Sequence, residues 1–266
     1  MRVHAVSDVH GASADLARAA DGADVFVCLG DLLLYLDYED PAEGAFSEVF
    51  GAEVTAEYIR LRRAMKFDEA RALTTAAWQK TREGDHPANR MRVFGEIIER
   101  QYSELFAAMP AMAPTPAFLT YGNVDVPAYW ENFIRPGQQV MDGDVAVVDG
   151  IRFGFVGGGL FSPYRTPNEI SPEAYAAKVA ALGAVDVLCT HIPPSVAELT
   201  FDVVARRFEV GSKALLQYIE DVQPQFALFG HVHQPFASRK RIGRTECLNV
   251  GHFRATRRPF VLDLPR

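Results

Sequence analysis

The stretch RVHAVSDVHG, residues Arg2–Gly11, sets a short apolar run directly against Asp8 and His10. A run of this kind reads as a strand buried on both faces of a parallel sheet. In such sheets, ligands collect beyond the carboxyl ends of the strands. The same pattern recurs four times along the chain. Val25–Asp31 (VFVCLGD) ends on Asp31, and Ala117–Asn123 (AFLTYGN) ends on Asn123. Val185–His191 (VDVLCTH) ends on His191, and Phe226–His233 (FALFGHVH) ends on His231 and His233. Five strand ends therefore offer seven nitrogen or oxygen donors.

Between these runs lie helix-like stretches, near Ala12–Ala20, Pro172–Leu182 and Ser212–Val222. Asp149-Gly150 separates Val145–Val148 from Arg152–Val156, which predicts a tight hairpin. Further strands are expected near Phe236–Lys240, Thr245–Val250 and Phe260–Leu264. Strands alternating with helices, then a hairpin-rich C-terminal half, predict an α/β sandwich with mixed sheets, read as a single domain over residues 1–266. The stretch from Leu33 to about Met112 breaks the pattern. Phe46, Val49, Phe50, Val54, Leu61 and Met65, and later Phe94, Ile97, Ile98, Leu105, Phe106 and Met109, recur at helical spacing. Residues of about 35–112 are thus expected to form a helical insertion, beginning at Asp40-Pro41-Ala42-Glu43 with Asp as N-cap and Pro at the first helical position. The insertion packs on the scaffold, caps the site or serves as a surface for self-association. His86 lies within it with no evident partner, whereas His4 sits in the first apolar run as a core residue.

The composition is that of an ordinary globular protein, 48% hydrophobic and 23% charged over 266 residues. The net charge of -7 argues against a nucleic-acid partner, since binding of that kind is driven by basic faces. It does not exclude a small phosphoester, because bound cations reverse the local charge. Asp37–Glu57 holds seven acidic residues and no basic one, a solvated face or a polyanion-repelling mouth. Arg239, Lys240, Arg241 and Arg244 form a basic cluster, read as a solvated hairpin or as a phosphate-attracting rim. Cys28, Cys189 and Cys247 are odd in number, far apart and set in apolar runs, as expected of buried thiols in a reducing compartment. With no apolar leader and no stretch of about 20 apolar residues, the chain is expected to be cytoplasmic, with no membrane partner.

Imidazole, carboxylate and amide donors without thiolate suit Mn, Fe or Zn in a catalytic site. In an extended Asp8-Val9-His10 the two donors would share a face; the same holds for His231 and His233 unless a turn sends them to different ions. Asp31, with two oxygens after a turn-forming glycine, is the natural bridge. Singly, each element has a plain alternative: Asp31 as a helix N-cap, His191 as a loop residue.

Taken together, Asp8-Val9-His10, Gly30-Asp31, Gly122-Asn123-x-Asp125, His191 and Gly230-His231-Val232-His233 resemble the calcineurin-like metallophosphoesterase family. Leu248-Asn249-Val250-Gly251 is similar to that family's closing Asn-Pro-Gly loop, with Val250 in place of proline. The resemblance runs from residue 1 to about 251. It implies a four-layer αββα sandwich of two mixed sheets and a hydrolase with two divalent metal ions. Asp8, His10, Asp31 and His233 would hold one ion; Asp31, Asn123, His191 and His231 would hold the other. Two cations about 3.5–4 Å apart can activate a bridging hydroxide for in-line attack on phosphorus.

The chain departs from the family at Val124. The usual motif places there a histidine thought to protonate the leaving oxygen, and valine can do no such chemistry. Some members lacking that histidine resemble phosphodiesterases, so a small or nucleotide-like diester is the expected substrate. The alternatives are a phosphomonoesterase or nuclease, or a non-catalytic interaction scaffold. Candidates to compensate are His252 or a metal-bound water as proton donor, and Arg165, in the loop Gly157–Pro167, as a stabiliser of phosphate charge. Asp125, which would support the missing histidine, is expected behind the ligands.

Overall fold

A computed structural model of the chain describes residues 1–81, 86–110 and 116–264. Two compact units emerge, one from Met1–Leu32 and Leu105–Arg266, the other from Leu33–Glu104.

The first unit holds two large mixed sheets. In one, the strands lie in the order Phe260–Asp263, Arg2–Val6, Val25–Cys28, Ala117–Leu119 and Gln138–Val140. The last four are parallel, and Phe260–Asp263 runs antiparallel at the edge. In the other, the order is Arg239–Ile242, Thr245–Asn249, Phe226–Phe229, Val187–Thr190, Ile151–Val156 and Asp144–Val148. Its four central strands are parallel, flanked by an antiparallel strand on each side. Asp149 and Gly150, at φ of 50° and 81°, make the expected hairpin turn.

Alternation along the strands gives each sheet an inner face. Val3, Ala5, Val25, Val27 and Phe118 meet Phe153, Phe155, Val187, Cys189 and Leu228 in one apolar cluster between the sheets. Removing a ring such as that of Phe155, fully buried there, would cost about 3–5 kcal/mol. On the far side of the second sheet, Leu188, Ala227 and Phe229 pack on Tyr175, Val179, Leu215 and Ile219. These come from helices Pro172–Ala181 and Lys213–Val222, each started by a serine: Ser171 Oγ accepts the Ala174 N–H and Ser212 Oγ the Leu215 N–H. The helix expected near Ala12–Ala20 is a single turn, Ser13–Leu16.

The second unit is helical. Ala45–Arg63 and Phe67–Trp78 are followed by Pro87–Ala108, whose last residues belong to the first unit. An aromatic cluster fills it: Phe46 stacks on Tyr58 with ring centroids 4.3 Å apart, and Phe50 meets Trp78 edge-on. The helix start expected at Asp40 is instead a turn, in which Asp40 Oδ1 accepts the Ala42 N–H. Gly44, at φ 92°, stands outside the helical region, so the helix begins at Ala45. The expected end of the helical stretch, near Met112, lies outside the described residues. Among the described residues no helix is long and apolar enough to cross a membrane.

Candidate metal centre

Five parallel strands of the first unit end a few residues before a candidate ligand: Val6 before Asp8, Cys28 before Asp31, Leu119 before Asn123, Thr190 before His191 and Phe229 before His231. At these ends the backbone turns sharply. Asp8, His10, Asp31 and His231 all adopt left-handed conformations, at φ of 55°, 40°, 54° and 66°. Asp8 and His10 therefore converge through a turn and not through the extended geometry expected from their spacing. Each left-handed non-glycine residue costs about 1–2 kcal/mol, and hydrogen bonds from their backbone N–H groups hold the turns in place. Asp8 N–H donates to Gly30 O at 3.0 Å, His10 N–H to Asp31 O at 2.9 Å, and His231 N–H to Asp8 Oδ2 at 2.9 Å. Gly30 and Gly122 touch so closely that a Cβ on the first would overlap the backbone nitrogen of the second.

These turns gather the donors into overlapping groups. Asp8, His10 and Asp31 form one, and Asp31, His191 and His231 another, each with ligand atoms within 4.8 Å of one another. His10, His233 and His252 form a third. Asp31 belongs to two of them. Its Oδ1 accepts the Val124 N–H at 2.9 Å, which leaves Oδ2 facing His191 Nε2 at 3.4 Å and His10 Nε2 at 3.9 Å. The two histidines of the Gly-His-x-His motif part company: His231 joins Asp31 and His191, while His233 Nε2 lies 3.3 Å from both Asp8 Oδ1 and His10 Nε2.

The donors suit a cation. Among the described residues the buried Asp8 Oδ1 has no close group beyond the imidazoles of His233 and His10, whose ring nitrogens face each other beside it. His191 Nδ1 lies 2.9 Å from the carbonyl of Leu29, which can only accept, so Nδ1 carries the proton and Nε2 is left for an ion. Asn123 Oδ1 lies 2.9 Å from that same Nε2. Burial opposes charge on His191, but Asp31 and Asp8 outweigh it and push the imidazole up to about 9. Burial likewise opposes the Asp8 carboxylate, yet His233, His191 and His10 hold it well below the usual range. Without metal, protons thus supply part of the positive charge that the carboxylates demand.

Asp125 stands behind the ligands. Fully buried, it accepts backbone N–H bonds from Asp31 and Gly122 through Oδ2, both at 2.8 Å, and from Leu32 through Oδ1 at 3.0 Å. It ties the Asp31 turn to the Asn123 turn. Burial, and then Asp31, push its carboxyl up to about 7, against the pull of those N–H groups. His252 stacks on His233, centroids 3.9 Å apart, with a buried and unpartnered Nε2. Burial, then His233 and His10, depress it to about 3, so it is neutral at pH 7. Arg165 falls in none of the groups. It lines a cleft with Phe161, Ser162, Pro163, Thr166 and Glu169, and Thr166 Oγ1 accepts from Asn123 Nδ2 at 2.9 Å.

No protein-family model matches the chain. No curated protein matches it either. Solved structures do. One crystal structure is similar at a TM-score of 0.60, with 16% identity over 95% of this chain and 91% of its own. The crystal structure of TT1561 of Thermus thermophilus is similar at 0.51, with 13% identity over 98% of both chains. These likenesses concern the fold. A purple acid phosphatase, PPD1 from yellow lupin seeds, reaches 0.41 with 13% identity, over 95% of this chain and 44% of its own. Nothing about chemistry is carried by a likeness that distant.

Sequence reading missed Thr166, Asn168 and Glu169, which lie in or just before the two-residue strand Glu169–Ile170, too short to bear a periodic signal. It also missed how Asn249 acts: Nδ2 donates to the Val232 carbonyl at 3.0 Å, bracing the loop of His231 and His233. The basic cluster is largely paired. Arg239 and Arg241 bond Glu246, Lys240 bonds Glu198, and Arg244 reaches Gln223. Paired charges fit the solvated hairpin and not a phosphate-attracting rim.

Proposed function

We propose that the chain is a metal-dependent phosphoester hydrolase using two divalent ions of the Mn, Fe or Zn type. One observation carries the reading: Asp31 Oδ2 faces His191 on one side and His10 on the other, making a single carboxylate common to two ligand groups. Asp8, His10, Asp31 and His233 would hold one ion, and Asp31, Asn123, His191 and His231 the second. When bound, such a pair supplies a nucleophile at neutral pH and offsets charge on the phosphoryl oxygens.

The residues around the ligands narrow the substrate. Val124 has no proton to give, and its N–H is spent on Asp31 Oδ1. A neutral, half-buried His252 is a poor acid and a better acceptor, which moves it from proton donor to positioning partner of His233. Arg165, exposed on the neighbouring cleft, can stabilise charge but not protonate. A site without an acid favours esters whose leaving group departs unaided, so a small phosphodiester with an aryl or similarly acidic leaving group fits best.

The test is a reconstitution followed by a screen. The protein loaded with Mn, Fe or Zn should carry close to two ions per chain and lose hydrolysis on chelation. Aryl diesters should turn over faster than alkyl monoesters, cyclic nucleotides or oligonucleotides. Metal content near zero after reconstitution would overturn the reading, and a preference for alkyl monoesters would overturn the choice of diester.

A further inference from the structure

An asparagine that binds a cation must present its oxygen, yet the two ends of its amide have nearly the same shape. Something must choose between two orientations related by a half-turn. The backbone of Asn123 is fixed independently: Asn168 N–H donates to Asn123 O at 2.9 Å, and Asn168 Nδ2 donates to Gly122 O at 3.0 Å. That leaves the amide orientation itself.

The neighbouring loop contains a chain of hydrogen bonds with one direction. Glu169, as a carboxylate, can only accept. Its Oε2 takes the Ser162 N–H at 2.8 Å, and its Oε1 takes the hydroxyls of Ser162 at 2.6 Å and Thr166 at 2.8 Å. The proton of Thr166 is therefore committed to Glu169, and Oγ1 turns a lone pair to Asn123. It accepts from Nδ2 at 2.9 Å, which points Oδ1 at His191 Nε2. The flipped amide would set its oxygen against a hydroxyl whose proton is already used, and its NH₂ against the centre.

We propose that Thr166 and Glu169 are positioning residues that set the polarity of the Asn123 amide, so that its oxygen faces the ion shared with Asp31, His191 and His231. The inference rests on the metal-centre reading above. Neither residue touches the ligand groups except through Asn123, so their effect should fall on one ion and not on both.

The experiment compares Thr166→Val, which keeps the shape but loses both hydrogen-bond functions, with Thr166→Ser, which restores them. Mn²⁺ titration calorimetry on the full chain should show the Asn123-side step weakened by about 10–100-fold in Thr166→Val, the range typical of lost supporting contacts to a ligand. The other step should be unchanged, and Thr166→Ser should stay within about threefold of wild type. Glu169→Gln should resemble Thr166→Val, since its amide can donate to Thr166 and reverse the chain. In the metal-free protein, the Asn123 side-chain NH₂ resonances should shift and exchange faster with solvent in Thr166→Val but not in Thr166→Ser. Wild-type affinity at both steps in Thr166→Val, equal loss at both steps, or equal loss in the serine variant would each overturn the proposal. Should wild-type protein bind no Mn²⁺, the metal reading itself fails, and the amide resonances still decide whether Thr166 sets the orientation.

Discussion

On one side of Asp31 the candidate ligands are held by protein. His191 is fully buried with its Nδ1 on the Leu29 carbonyl, and Asn123 is buried with its amide on Thr166. On the other side, the His233 side chain is 39% exposed, Asp8 Oδ1 meets only imidazole nitrogens among the described residues, and His10 and His233 point their nitrogens at each other. The first half is organised before an ion arrives. The second depends on the ion, or on protons in its place, to hold like groups together. Preorganised donors lose less entropy and need less rearrangement on binding. The Asn123 half should therefore bind its ion more tightly, and the His10–His233 half should exchange its ion more readily.

The most damaging change should be at the shared member. Asp31→Asn should remove the bridge and lower hydrolysis by well over the ~100-fold upper range for a lost supporting contact, with both ions weakened in metal analysis. If only one ion is affected, Asp31 is not shared and the two-sided description fails. Next in size, His191→Ala and His233→Ala separate the halves. On graded chelation, wild-type protein should release one ion first. His233→Ala should start at one tightly held ion, whereas His191→Ala should keep only the weaker, readily exchanged one. Equal behaviour would erase the asymmetry.

Acidity sharpens the same contrast. A metal ion must expel the proton that Asp31 and Asp8 hold on His191 up to about 9. Metal affinity should therefore rise with pH toward that value, by at most about tenfold per unit for each proton released. In the metal-free protein the sign reverses. A histidine raised above its ordinary value of about 6.5 stabilises the fold fully below that pH, and the contribution is lost as pH rises through about 9. Thermal melts of metal-free and metal-loaded protein from pH 6 to 9 should slope in opposite directions; parallel slopes would show that His191 is not where the ion and the proton compete.

The smallest expected effect is at Val124. Val124→His places an imidazole next to Asn123 in the chain, with its backbone N–H still on Asp31. Alkyl leaving groups should gain more than aryl ones, because only the former need a proton. Asp125 cannot orient the new ring freely, as its oxygens already accept from Asp31, Gly122 and Leu32. The gain should then fall below the ~10²–10⁴ range for a general acid. No selective gain with both ions retained would indicate that another group already gives the proton.

By itself the sequence determined where strands end and which side chains wait there. Buried parallel strands must be apolar, and the first polar residue after each run therefore marks the functional edge. Val3–Ser7 before Asp8 and Phe226–Phe229 before His231 are legible for that reason, as are the hairpin at Asp149-Gly150 and the helical stretch after Leu33. Pattern and spacing left open how the donors divide; only the family resemblance implied a division, and the tertiary structure supplies its geometry. Spacing could not say that His231 and His233 join different groups, since that follows from a left-handed turn at His231 tied to Asp8 Oδ2. Nor could it say that Asp8 and His10 meet through a turn, that Asp125 fastens two loops, or that Thr166 and Glu169 stand behind Asn123. The bonds that tie Thr166 to Asn123 and His231 to Asp8 join residues 43 and 223 positions apart. Local patterns record which face of an element is buried, but a hydrogen bond between distant loops leaves no periodic trace in either one.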